Sequence, residues 1–353
     1  MERVGGLEGM RGIAAYWVFT HHFLLIFYPD FYFGPHTWVN HVLNPDLAVA
    51  WFFVHSGFVL SLKSTQTQDK GVYYSQLASQ ASRRYLRLLP PVIFSIMVTY
   101  TLMKRGLMFN QEYAAELKNP WLGQYLNFAP DLIEALRQSF WATFFDFNSG
   151  ATYNPNLWTI GYELIASYLL FAILAFLPLW RHSFWLLLPL AFMIGPWKGL
   201  MGFVLGSFIT RIYHHRIPKV VLISLTILGF WLSDLAGHFR GPALSVAAAL
   251  LMIVLLQMPK LREHLERPFF KRLGELSYSL YVLHFAMLAS FTSFMGLKFQ
   301  VHNSPAKIAL LYLITAILVW TISEVGERLV DRPGVILSRR FSEKVMNLLS
   351  KPI

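Results

Sequence analysis

Apolar runs of membrane-spanning length recur along nearly the whole chain, and they constrain its fold more than any other feature. The 353 residues are 55% hydrophobic and only 14% charged, which gives a mean hydropathy of +0.45. A transmembrane helix needs about 20 consecutive, predominantly apolar residues. Because such runs are repeated rather than confined to one end, we predict an all-α, polytopic transmembrane helical bundle in which the membrane segments form the fold itself.

Boundaries at charged residues, proline and glycine predict about ten spans. The first run is longer than a signal-peptide core and lacks a small-residue cleavage site after it, so we expect a retained first helix. The fifth is short and contains Pro189, and a kinked or re-entrant segment is an alternative there. The spans lie near residues 7–27, 47–62, 86–103, 157–178, 184–196, 199–212, 219–236, 243–258, 276–296 and 306–325.

The basic residues are distributed unevenly between the two sides of this predicted bundle. With the N-terminus inside, 22 of the 30 Lys and Arg residues fall in cytoplasmic segments. This distribution follows the positive-inside rule and predicts that both termini are cytoplasmic, N-in and C-in. It also accounts for the net charge of +11 without a nucleic-acid partner. We divide the chain into a transmembrane domain, residues 1–334, and a basic cytoplasmic tail, residues 335–353.

Two segments are predicted not to span the membrane. Residues 63–87 are expected to form a polar cytoplasmic loop that leads into a basic helix start. Residues 104–156 are expected to form a long outside loop. Its aromatic side chains suit an interfacial layer, and sugar rings also stack on such side chains. They include Trp121, Tyr125, Trp141 and Tyr153.

Cysteine and histidine usage limits the chemistry that the chain can perform. The sequence contains no cysteine, which excludes a disulfide framework, a thiolate nucleophile and a thiolate-ligated metal. His21 and His22 are adjacent and point to different sides of a helix, and His214 and His215 belong to a basic loop. We therefore predict no metal site.

Several polar side chains lie inside the predicted spans, where they are costly and usually mark a site or a pathway. Arg11 and His22 are eleven residues apart, so at about 100° per residue they share one helix face, separated by about 16 Å along the axis. Glu163 and His284 occupy the fourth and ninth spans. The alternatives are a histidine hydrogen-bonded for packing, an arginine that reaches lipid phosphates, and a structural ion pair.

Six segments, spread in order along the chain, stand out as motifs. They are LEGMRGIAA at 7–15 followed by His22, WFFVHSGF at 51–58, RRYLRLLPP at 83–91, NLWTIGYE at 156–163, SYSLYVLHF at 277–285, and Glu327 through Pro333. These segments resemble the motifs of the acyltransferase-3 superfamily of integral-membrane O-acyltransferases. The chain departs from that pattern at His55, where an apolar residue is more usual, and at Asp331, where glutamate is expected.

The resemblance implies transfer of an acyl group, acetyl in the first instance, from cytoplasmic acetyl-CoA or another acyl-CoA to a hydroxyl of an envelope or exported carbohydrate. It also implies a multi-pass protein of the bacterial inner membrane. In this scheme His22 is the general base and Glu163 orients its ring or stabilises its charged form. The remaining expected site residues are Arg11, Arg84 and Arg87 for donor binding, and Ser56, Tyr281 and His284 for substrate positioning.

Two alternatives stay open. Ser56 could carry the acyl group covalently, although a Ser-Gly pair inside a helix is also typical of close helix packing. The protein could instead be a proton-coupled transporter or flippase of a glycolipid or small solute, with Arg, His and Glu as a proton relay. A transporter of that kind predicts internal symmetry between the two halves, and no second copy of the Arg11 to His22 pattern occurs in the sequence.

Overall fold

A computed structural model describes residues 6–28, 44–65, 67, 69–176, 183–193, 199–234 and 240–349. Within these ranges every regular element is helical, which confirms the prediction of an all-α fold. Short irregular turns and helices join the longer ones. The main helices are α1 (Leu7–Phe27), α2 (Pro45–Thr65), α3 (Lys70–Lys104), α4 (Asn110–Leu117), α5 (Trp158–Phe176), α6 (Leu187–Met193), α7 (Leu200–Ile212), α8 (Lys219–Asp234), α9 (Arg240–Gln257), α10 (Pro259–Leu265), α11 (Pro268–Met287), α12 (Ser293–Phe299), α13 (Pro305–Gly326) and α14 (Arg332–Leu349).

Several of these helices are long and apolar enough to cross a membrane, so the chain is a transmembrane helical protein. In the described part of the chain five helical segments meet this condition, and a sixth is added if α9 and α10, bent by 96° between them, form one span. Two shorter apolar helices, Leu200–Ile212 and Lys219–Leu232, lie below that length. The count of about ten spans and the N-in, C-in orientation therefore stay predictions.

The predicted spans nevertheless coincide with helices. The first span and α1 have the same bounds, 7 and 27. The ninth span corresponds to α11 and α12, joined by a π-helical turn at Leu288–Thr292. In the fifth predicted span, Pro189 lies in the first turn of the short helix α6. N–H groups of a first turn have no partner within the helix, so the missing N–H of proline costs no helical hydrogen bond there.

The polar loop predicted at residues 63–87 is wrong over most of its length. Helix α3 already begins at Lys70, where the side chain of Asp69 accepts a hydrogen bond from the N–H of Val72 at 2.8 Å. Tyr73 and Leu77, four residues apart on one face of the new helix, are buried. The polar composition of this stretch concealed a helix that packs by one face.

Residues 335–349, which the sequence analysis assigned to a basic tail, continue helix α14 and lie along α3. The hydroxyl of Ser342 is 2.8 Å from that of Ser79. Gly334 faces Pro90 so closely that an added Cβ would lie 2.9 Å from the proline ring. The described part of the predicted tail is thus packed against the helical bundle.

Helices α1 and α11 approach each other closely because small residues face each other. A Cβ on Gly12 would lie 2.5 Å from the backbone of Gly274, and one on Gly274 would lie 2.2 Å from the carbonyl of Glu8. Small residues permit such close approach of helices in a membrane. This contact aligns the polar faces of α1 and α11, which carry His22 and His284.

Candidate active site

The imidazole rings of His22 and His284 form a hydrogen-bonded pair across the contact between α1 and α11. Nδ1 of His22 is 2.9 Å from Nε2 of His284, and the ring centroids are 5.2 Å apart in a stacked arrangement. His284 is fully buried, whereas His22 keeps partial exposure. The two residues are far apart in sequence, and the fold brings them together.

The hydrogen-bond partners of this pair assign a tautomer to each ring. Nδ1 of His284 lies 3.0 Å from the carbonyl oxygen of Leu280, which can only accept, so Nδ1 carries the hydrogen. In the neutral ring Nε2 is then an acceptor. His22 must donate to it from Nδ1, which leaves the lone pair of its own Nε2 unprotonated and available as a base.

Asn156 is a further contact of the pair that the sequence analysis did not single out. Its side-chain amide lies 3.1 Å from Nε2 of His284 and is oriented to donate. Asn154 supports this turn, since its side chain accepts from the N–H of Asn156 at 3.0 Å and donates to the carbonyl of Val282 at 2.6 Å. Two asparagines that flank a proline at the start of an apolar helix were the available signal.

An aromatic wall covers the His22 side of the pair. The ring of Trp121 lies 5.5 Å from that of His22, and Trp121 also contacts Tyr125 and Phe285 edge-on. Trp121 and Tyr153 from the predicted outside loop are buried, whereas Trp141 is 58% exposed. Part of that segment is therefore buried in the bundle, with Trp121 beside His22.

A separate cavity of about 590 Å³ opens between α1, α2, α3, α5, α11 and α14. Glu163 and Ser56 line it, and so do the three arginines that the sequence analysis assigned to donor binding. His22 is not among its lining residues. The arginines on its wall are Arg11, Arg83, Arg84, Arg87 and Arg339.

Glu163 lies in this cavity beside Arg84. Its Oε1 is 2.6 Å from the Arg84 guanidinium, and it also accepts from the hydroxyl of Ser56 at 3.3 Å. Arg84 donates in addition to the hydroxyl of Ser167 at 2.8 Å. The position beside His22 that the sequence analysis gave to Glu163 is occupied by His284.

Arg11 and Arg87 also have partners within the protein. Arg11 donates to the hydroxyl of Ser277 at 2.7 Å and to the carbonyl of Gly274 at 3.0 Å. Arg87 pairs with Asp331, which a π-helical turn at Glu327–Asp331 directs inward. The three predicted donor-binding arginines therefore line one cavity, and each is held in place by neighbouring groups.

Tyr281 lies between the cavity and the histidine pair. It lines the cavity, and its hydroxyl donates to the carbonyl of Asn156 at 3.0 Å and lies 3.1 Å from the hydroxyl of Thr159. Its ring centroid is 6.2 Å from that of His284. Tyr281 thus lines the charged cavity and also contacts the ring of His284.

All the groups described above in the site are side chains or backbone atoms of the protein. In the described ranges no group of three or more His, Cys, Asp or Glu side chains is arranged to hold a metal ion.

The comparison with protein families gives one match. The acyltransferase-3 family model, described as an acyltransferase domain, matches residues 4–324, a range that includes the histidine pair and most of the cavity wall. No curated protein and no solved structure matches the chain.

Proposed function

The chain belongs to the acyltransferase-3 family, and from this premise we propose that it transfers an acyl group, acetyl in the first instance, from cytoplasmic acyl-CoA to a hydroxyl of an envelope or exported carbohydrate. The family membership makes it a membrane acyltransferase. The donor, the acceptor and a location in the bacterial inner membrane are parts of the proposal.

The observation that carries the proposal is the hydrogen-bonded histidine pair. His284 accepts from Nδ1 of His22, so Nε2 of the neutral His22 ring carries an unprotonated lone pair, which has no hydrogen-bond partner among the described residues. A general base must lie within hydrogen-bond reach of the proton that it removes, and the partial exposure of His22 leaves its ring accessible. We place the acceptor hydroxyl at Nε2 of His22.

In the proposed reaction, Nε2 of His22 takes the proton of the acceptor hydroxyl while the hydroxyl oxygen attacks the thioester carbonyl carbon. The tetrahedral intermediate then expels the CoA sulfur, and the proton on Nε2 passes to this thiolate, so the products are the ester and the free thiol. His284 stabilises the transient imidazolium of His22 by accepting its Nδ1–H. Its role is therefore that of the orienting residue in a triad, filled here by a second histidine.

We propose that the arginine-lined cavity admits the donor. Acyl-CoA carries several phosphate oxygens, and arginine guanidinium groups bind phosphates with paired, charge-assisted hydrogen bonds. Glu163 has a different role here from the one the sequence analysis expected, because it fixes the guanidinium of Arg84. Tyr281, between the cavity and the histidines, would have to turn or shift for the thioester to reach His22.

Mass spectrometry of envelope glycans tests the proposed function. Cells that produce the protein should contain glycans heavier by one acetyl or larger acyl group, and cells that carry His22→Ala at the same protein level should lack this mass. Glycans of identical mass in both kinds of cell would contradict a carbohydrate acceptor.

A further inference from the structure

Two arginines on the cavity wall differ from the others because they have no acidic partner. In the ranges that the structure describes, Arg83 and Arg339 form no ion pair and no hydrogen bond. We propose that these two side chains, together with the amide of Gln80, form a phosphate-binding site at the edge of the cavity that takes a phosphate group of the acyl donor. This proposal rests on the proposed function.

The contrast with the other arginines of the cavity supports this assignment. Arg84 is neutralised by Glu163 and Arg87 by Asp331, and Arg11 lies 3.3 Å from Glu8. A guanidinium already paired with a carboxylate has less charge to offer an anion. Arg83 and Arg339 have no carboxylate partner in the described ranges that would compete with an anion.

Arg83 and Arg339 are also close enough to act on each other. Arg339 is the charged group that acts most strongly on Arg83, ahead of Arg84 and Arg87. Two cations held near each other without a counter-ion repel, and a bound dianion converts this repulsion into attraction from both sides. A phosphate group satisfies the charge of both guanidinium groups at once.

Gln80 is an independent indication of a ligand. Its side chain lines the same cavity and is 4% exposed, yet its amide nitrogen has no hydrogen-bond partner among the residues that the structure describes. A buried donor without a partner is costly, and native structures seldom leave one. Because Gln80 and Arg83 are three residues apart on α3, they lie on one face of the helix. A phosphate held by Arg83 would supply the missing acceptor.

Helix α14 is what brings Arg339 to this place. Val335 and Ser338 of the same helix line the cavity as well, and the contacts of Ser342 with Ser79 and Ser82 fix α14 against α3. Arg339 lies beyond residues 4–324, the range that the family model covers. The donor site of this chain therefore includes a residue outside the family domain.

The chemistry of the three groups favours phosphate over a neutral ligand. Gln80 offers an amide nitrogen without a partner among the described residues, and both arginines are donors only, with planar guanidinium groups that match the oxygens of a phosphate. Phosphates occur both on acyl-CoA and on phospholipid headgroups, and we assign the site to the donor. Binding of a phospholipid headgroup instead is an outcome that the experiment described below distinguishes from binding of the donor.

Affinity for CoA, measured calorimetrically on purified protein in phosphatidylcholine nanodiscs, tests the proposal. Loss of one charge-assisted hydrogen-bond donor corresponds to a roughly tenfold weaker affinity. Arg339→Gln and Arg83→Gln should each show this loss, and Gln80→Leu a smaller one. Arg340→Gln is the matched control, because Arg340 is exposed on α14 like its neighbour Arg339 but does not line the cavity. It should bind CoA as the unaltered protein does.

The possible outcomes distinguish an error in the proposed donor from an error in the proposed phosphate site. If the unaltered protein does not bind CoA, the assignment of the donor is wrong. If it binds CoA and Arg339→Gln, with an unchanged unfolding temperature, binds equally well, the phosphate site is wrong while the proposed donor stands. If Arg339→Gln keeps its CoA affinity but loses phosphatidylglycerol that native mass spectrometry finds on the unaltered protein, the site binds lipid and our assignment is overturned.

Discussion

The cavity and the histidine pair are two polar regions of one bundle, and they satisfy their polar groups in opposite ways. In the described part of the chain the cavity wall carries five arginines, three of them with carboxylate neighbours and two without. The histidine pair is joined to its surroundings by directed hydrogen bonds to Leu280 and Asn156. Surplus positive charge suits the binding of an anionic donor. A fixed tautomer suits the transfer of a proton.

If this division of labour holds, variants in the two regions should fail in different ways. Those in the histidine pair should reduce the rate of transfer while leaving CoA affinity unchanged. Those in the cavity should reduce CoA affinity or stability more than the rate at saturating donor.

The largest effect is expected for His22→Ala. Removal of the base should lower the single-turnover rate of acyl transfer by a factor on the order of 10² to 10⁴. CoA affinity should stay unchanged, because His22 does not line the cavity. Folded His22→Ala protein that transfers at the normal rate would end the assignment of the base.

The next largest effect is expected for His284→Ala. Without Nε2 of His284, Nδ1 of His22 has no acceptor. The ring of His22 can then adopt the tautomer that carries the hydrogen on its own Nε2. We expect a loss of rate on the order of 10², by comparison with the larger loss known for a serine-protease triad in the wrong tautomer. His284→Gln provides the control. Its side-chain oxygen can accept from His22, so it should recover part of the rate, which a purely structural role for His284 would not predict.

The sequence predicted the all-α fold and the bounds of α1, because apolar runs between charged or helix-breaking residues define helices directly. It also placed Arg11 and His22 on one face of one helix, since that geometry is local. It could not predict that His22 meets His284, because this contact depends on which helices pack. The glycine contacts of α1 with α11 decide that packing.

The same limit explains why the sequence did not predict the partner of Glu163 or the position of Arg339. A carboxylate inside a span needs a partner, but the sequence does not say whether the partner is an arginine or a histidine, and here it is Arg84. Arg339 was assigned to a tail because its segment is basic and follows the last apolar run. Its place on the cavity wall depends on the packing of α14 against α3 through small residues.

Glu163→Gln sharpens the comparison between the two regions. The substitution removes the negative charge that holds Arg84. In this ion pair the side chain of Arg84 is 12% exposed and that of Glu163 is 22% exposed. We expect a loss of stability of about 2 kcal/mol, below the usual range for a fully buried pair because solvent screens this one in part. The rate at saturating donor should fall by less than about tenfold, since Glu163 is not the partner of His22. Thermal unfolding and single-turnover transfer measure the two quantities, and a rate loss as large as that of His284→Ala would return Glu163 to the catalytic group.

The smallest effect is expected for Arg11→Lys. Lysine keeps the positive charge but loses the planar group that reaches Ser277 and Gly274 together. CoA affinity should weaken by about threefold, less than one full hydrogen bond, with the saturated rate nearly unchanged. Unaltered CoA affinity would leave Arg11 as a residue that fastens α1 to α11.

The tautomer of His22 is the point on which the proposed chemistry depends most directly, and it can be measured without knowledge of the acceptor. Nitrogen-15 NMR of protein labelled at histidine distinguishes a protonated ring nitrogen from a bare one, and His22→Asn identifies the signals of His22. We predict a neutral His22 ring with hydrogen on Nδ1 and none on Nε2, and a shift of this balance in His284→Ala. A His22 ring protonated at Nε2 in the unaltered protein, with Nδ1 bare, would contradict the account.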